Sequence, residues 1–232
     1  MTAEGQPGMC EILAVRWAEP RPFAAIADKA RAMEYYGSGK FGWGVAWLAD
    51  GQVRRHRYAG RMEDDEAVAT SLESIASTTF VVHFRRPTLL STIELANTQP
   101  FLTQDSSLAL CHNGLFAEYE AYRDSYAERL AGVADSEIGF CMLQDIMASG
   151  LPASDALALV YDKLGGQANL ATLQNDGTLT LFSNHERNRF WTFRDGDADV
   201  AATELHSPDG SLFTLIFPEA TARAVVSESV QL

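Results

Sequence analysis

A chain of 232 residues is long enough to bury a sizeable core as one domain or two small ones, and 47% hydrophobic with 21% charged residues is the composition of a soluble globular protein. The net charge of −13 excludes a non-specific nucleic-acid surface, which needs clustered Lys and Arg. No apolar run approaches the roughly 20 residues that span a bilayer, and cysteines only at 10, 111 and 141 make neither a disulfide framework nor a metal-type pair; the expectation is a cytoplasmic protein without metal, nucleic acid or membrane.

Residues 1–9 have no basic stretch followed by an apolar one, so they do not read as a secretory signal. They end at Met9-Cys10, at the head of a strand-like run, Glu11–Trp17. Cys10 becomes residue one if translation starts at Met9 and the methionine is removed, or if a nine-residue leader is lost. Its thiol would then sit beside its own α-amine, whose pKa of roughly 7.7–8.0 suits a proton acceptor. A nucleophile and its base in one residue is the arrangement of N-terminal nucleophile hydrolases; a small buried hydrophobe is the plain alternative.

Further elements follow in order. A helix is expected over 22–36, then a strand over 41–49 joined by the Asp50-Gly51 turn to another over 52–58. Acidic residues followed by apolar ones at helical spacing predict a helix over 64–77. Strands over 79–84 and 107–111 flank an irregular stretch, 85–105. Helices are expected over 117–130, 136–149 and 153–164, and strands over 168–174, 179–183, 190–193 and 212–217. Strands, a block of helices and strands again imply layered sheets with helices outside, in a single domain.

Short polar clusters stand at strand ends and in loops. Gly42-Trp43-Gly44 either lets a backbone approach a ligand closely or merely kinks a strand. In His83-Phe84-Arg85-Arg86-Pro87-Thr88, alternation puts His83 and Arg85 on one face, and an arginine fork there suits a carboxylate. A core histidine and an exposed arginine pair is the rival reading. Asn97-Thr98-Gln99-Pro100-Phe101 reads as a polar turn. Cys111-His112-Asn113-Gly114 offers a side-chain amide and a backbone N–H to one developing oxyanion, or a plain Asn-Gly turn. Asp135, in Ala134-Asp135-Ser136-Glu137, is placed to cap a helix or to hold an ammonium group.

Taken in order from Cys10 to about Met147, these six motifs resemble the class II glutamine amidotransferases, and among them the small stand-alone members that begin Met-Cys. The resemblance implies an α+β four-layer αββα sandwich with two mainly antiparallel sheets, residues 10–232 forming the glutaminase domain behind a 1–9 leader. It makes Cys10 the nucleophile and its freed amine the base, with Asn113 and Gly114 as the oxyanion hole. Arg85 and Thr88 would bind the substrate α-carboxylate side, Asp135 the α-ammonium, and Gly44 with the 97–101 turn would line the pocket. No cofactor is implied.

Gln99 stands where members of that family often carry His, and Pro87 where Ala is common. The length leaves no room for a synthase, so either a separate enzyme takes the ammonia from glutamine, or a γ-glutamyl amide is hydrolysed outright, as in small members acting on γ-glutamyl conjugates. A papain-like protease lacks its local signature, and Cys10, Cys111, His112 and Cys141 lack metal-ligand spacing. The rival from another class is a non-catalytic interaction module on the same fold with its leader retained.

Overall fold

The computed structural model describes residues 10–37, 40–207 and 209–232, so the expected leader at 1–9 lies outside the described residues. The first half carries β1 (Glu11–Pro22), α1 (Ala24–Tyr36), β2 (Trp43–Ala49), β3 (Gln52–Tyr58), α2 (Glu66–Thr70) and β4 (Ala76–Phe84). The middle carries β5 (Phe101–Leu102), β6 (Leu108–Leu115), α3 (Glu120–Tyr126), α4 (Asp135–Ala148) and α5 (Ala153–Leu164). The last third carries β7 (Gln167–Gln174), β8 (Leu179–Asn184), β9 (Phe190–Asp195), β10 (Ala198–Thr203), α6 (Ser211–Ile216), β11 (Thr221–Val225) and β12 (Val230–Gln231).

These strands make two antiparallel sheets, one ordered β11-β9-β10-β1-β4-β2-β3 and the other β12-β8-β7-β6-β5. Alternation along each strand sends side chains to two different cores. Leu13 and Val15 of β1 point outward to Met33 of α1 and Phe213 of α6, while Ile12 and Ala14 point inward to Ala171 and Leu181 of the second sheet. The outer face of that second sheet meets α4 and α5 through Leu110, Leu170, Phe140 and Leu157. The result is the expected helix–sheet–sheet–helix sandwich, and each large side chain fully buried in it contributes about 1.5–3 kcal/mol.

Several local expectations need correction. The helix expected over 64–77 is a short α2 between two 3₁₀ turns, because Asp65 is its N-cap, accepting from Ala67 N, and the acidic residues before it lie outside the helix. The strand expected over 212–217 is helical. Asp209 accepts the Ser211 N–H at 3.0 Å and Gly210 takes φ +68°, a start signal that the short apolar run concealed. β1 continues to Pro22, so α1 starts later than expected. The Ala-rich β10, which pairs with β1 near the middle of its sheet, was not expected at all. The Asp50-Gly51 hairpin does form, with both residues at positive φ.

Candidate active site

β1 begins directly after Cys10, and its first residue, Glu11, pairs with Phe84 at the end of β4. That pairing brings the chain beyond β4 against Cys10: the Arg86 N–H donates to Cys10 Sγ at 3.3 Å. Arg85, one residue earlier, is held by its N–H to Gly42 O at 2.7 Å, and its Nη2 donates to Thr92 Oγ1 at 2.9 Å. Its Nη1 is buried without a partner among the described residues. Cys10, Arg85, Thr88, Gly114 and Asp135 line one cleft of about 640 Å³, with Thr88 exposed on its rim. A larger cleft of about 920 Å³, beside Arg55 and Arg57, holds none of these residues.

Asn113-Gly114 is not a tight turn. β6 runs through it, pairing Asn113 with Asn169 and Gly114 with Ala168. Gly114 has φ +144°, and a Cβ there would lie 1.9 Å from Gln167 O, so only glycine fits. Alternation sends His112 to the helix side and Asn113 inward. His112 stacks on Phe116 and bonds Ser136 Oγ through Nδ1 at 2.9 Å. Asn113 is fully buried behind the cleft; its Nδ2 donates to Cys10 O, and its Oδ1 accepts from Asn169 Nδ2 at 2.7 Å.

Asp135 is the first residue of α4 and not its cap; the cap position is Ala134, with no side-chain bond. Its carboxylate accepts the Phe116 N–H at 2.9 Å and the Ser136 hydroxyl at 3.3 Å. Gly44 lies away from the cleft. A Cβ on it would meet Gln99 O at 2.3 Å and Pro100 Cδ at 2.9 Å, so the close approach that its missing side chain permits is to the 97–101 turn of its own chain. That turn in turn braces the site: Gln99 accepts the His112 N–H at 2.5 Å and donates to Ser136 Oγ at 3.2 Å, while Asn97 Oδ1 caps Val133 N and Ala134 N.

Burial pushes the Cys10 thiol up to about 11, against the opposing pull of the Arg86 N–H and the Arg85 charge. Burial likewise pushes His83 down to about 3 and lowers His112, so both are neutral at pH 7. His83 bonds His112 O through Nε2, the role of a core histidine. Among the described residues the thiol bonds only Arg86, so no cysteine–histidine dyad forms, and no three His, Cys, Asp or Glu side chains converge as a metal site.

Residues 9–210 match the family model for class II glutamine amidotransferases. The chain belongs to that family. A curated relative, glutamine–fructose-6-phosphate aminotransferase of Caulobacter vibrioides, is 29% identical over 177 residues, which are 75% of this chain and 28% of the relative. The glutamine phosphoribosylpyrophosphate amidotransferase structure from B. subtilis superposes with TM-score 0.72 at 16% identity, covering 96% of this chain and 47% of that one. A glutamine aminotransferase class-II domain protein from Silicibacter pomeroyi gives TM-score 0.60 at 18% identity, covering 84% and 88%. At those identities the two structures show the amidotransferase fold alone, and the chain spans under half the length of the first two proteins.

Asn169 and the asparagine at 188, which complete the surroundings of Asn113, carried no motif. Asn169 did carry a signal: it is a polar residue in register with the inward Ala171 and Leu173 of its strand.

Proposed function

We propose that this amidotransferase domain cleaves the side-chain amide of glutamine, or of a γ-glutamyl amide, through a γ-glutamyl thioester on Cys10. The reading requires that residues 1–9 be removed or never made. A thiol near pKa 11 is ionised in only about one molecule in 10⁴ at neutral pH, so attack needs a base beside it. A freed Cys10 α-amine supplies one; an α-nitrogen acylated by Met9 does not.

Sγ attacks the amide carbon while its proton passes to the α-amine. Asn113 and the Gly114 N–H stabilise the oxyanion, and the tetrahedral intermediate collapses as the α-ammonium protonates the departing ammonia or amine. Water, deprotonated by the same amine, then attacks the thioester and releases glutamate. Arg85 binds the α-carboxylate with Thr88 beside it, and Asp135 the α-ammonium. Ammonia released from glutamine would pass to a separate acceptor enzyme.

One observation carries this reading. Arg85 is a buried guanidinium whose Nη1 has no partner among the described residues, on the same cleft as Cys10 and the carboxylate of Asp135. A charge so placed costs stability unless a ligand pairs with it, and a cation and an anion beside a thiol match an amino-acid zwitterion whose side chain is to be cleaved. The purified protein beginning at Cys10 should release glutamate from glutamine or a γ-glutamyl amide, and Cys10→Ala should abolish this. Activity surviving in Cys10→Ala overturns the catalytic role. A mature chain that keeps residues 1–9 and is inactive on both substrate types leaves the interaction module as the reading.

A further inference from the structure

A row of buried amides ties Asn113 to both sheets. Asn113, Asn169 and Ser183 are register neighbours across β6, β7 and β8, and none is more than 5% exposed. Asn169 Nδ2 donates both to Asn113 Oδ1 and to the main-chain oxygen of Asn188, each at 2.7 Å, and Ser183 Oγ donates to Asn169 Oδ1 at 2.6 Å. Asn188, equally buried, donates from Nδ2 to Glu11 Oε2 at 3.0 Å and to Asn113 Oδ1 at 3.4 Å, while its Oδ1 accepts the His206 N–H at 3.2 Å. Thr203 Oγ1 completes the row by donating to the same Glu11 oxygen.

A carboxamide can turn over and exchange its oxygen for its nitrogen at little steric cost, so its sense must be set by partners that cannot exchange roles. Two main-chain groups do that here. The carbonyl of Asn188 only accepts, which fixes the nitrogen of Asn169; the N–H of His206 only donates, which fixes the oxygen of Asn188. Both fixed nitrogens then converge on Asn113 Oδ1 and leave its Nδ2 facing Cys10. Turned the other way, Asn113 would offer a lone pair where the reaction needs a donor, and its oxygen would lose two bonds.

We propose that Asn169 and Asn188 are positioning residues that hold the Asn113 carboxamide, nitrogen foremost, as a pre-set oxyanion donor beside Cys10. The inference rests on the catalytic reading of Cys10 and Asn113 given above. Buried polar groups are costly unless fully bonded, and a fully bonded row specifies one arrangement; this row fixes the donor before substrate arrives.

Asn169→Leu tests it, because leucine keeps the branched four-atom side-chain skeleton without donors or acceptors and suits the apolar rows beside it. With glutamine or the γ-glutamyl amide that the wild type hydrolyses, kcat should fall about 10- to 100-fold with KM within about 2-fold. The rate of Cys10 alkylation by iodoacetamide should stay within about 2-fold, since the nucleophile is untouched. Ser183→Ala, a milder change, should lower kcat about 2- to 5-fold in the same pattern and decides the matter if Asn169→Leu fails to fold. A kcat unchanged in the folded variants of an active enzyme overturns the positioning role alone. Equal losses in kcat, KM and alkylation also overturn it, marking general loosening of the fold. An inactive wild type with a free Cys10 amine sinks the catalytic reading and this inference together.

Discussion

Three successive rows cross the inner face of the smaller sheet: Ala109–Leu173–Leu179, Cys111–Ala171–Leu181 and Asn113–Asn169–Ser183. The first two are apolar and pack against Ile12, Ala14 and Val81 of the other sheet; the third is polar, equally buried, and lies behind Cys10. Burial therefore does not separate core from site in this molecule. What separates them is whether removing a side chain should lower stability or turnover. The apolar rows are held by dispersion and water exclusion, which tolerate approximate shapes, whereas the polar row works only with its donors and acceptors in a fixed sense.

The largest expected effect is at the polar row: Asn113→Ala should lower kcat about 10²- to 10³-fold, read in steady-state glutamate release. An unchanged kcat would erase the distinction between the rows. Leu181→Ala, in the neighbouring row, should cost about 2–5 kcal/mol of stability in urea unfolding, yet leave kcat per folded molecule unchanged. Arg85→Ala should raise KM more than it lowers kcat, by about 10- to 100-fold, the worth of a charged hydrogen bond of about 1.5–3 kcal/mol. A loss confined to kcat would move Arg85 from substrate binding to the reaction itself.

The last effect, on stability alone, concerns Glu11, at the far end of the row. Burial raises its carboxyl from 4.5 to about 8, although Thr203 and Asn188 pull it down. The folded state thus holds a proton that the unfolded state has already released. Stability from this group is full below about pH 4.5 and is lost as pH rises through about 8. The urea midpoint should fall over that window in the wild type and fall less in Glu11→Gln. Equal slopes would remove Glu11 as the titrating group.

Much of this was legible in the sequence where the signal was local. Alternation marked most strands, Asp50-Gly51 marked its hairpin, and the order of short motifs from Cys10 to Asp135 pointed to the family. The failures were long-range. Nothing near Gly44 in sequence reports that Gln99 would pack on it, so the sequence alone does not separate a glycine that serves the fold from one that serves a ligand. Asp135 looked like a cap because its spacing fits one, and only the structure puts Ala134 there. Asn169 and Asn188 acquire meaning from strands far away in the chain, and in β10 the three alanines and Asp199 dilute the β-branched signal of Val200 and Thr203.

The account stands on Cys10 acting with its own amine free, and the most direct measurement is the intact mass of the protein quenched in acid during turnover. The expected species is a chain beginning at Cys10, with a fraction carrying one glutamyl residue that maps to Cys10 and disappears in Cys10→Ser. Turnover by a chain still bearing residues 1–9, or a glutamyl adduct on any other residue, would contradict it.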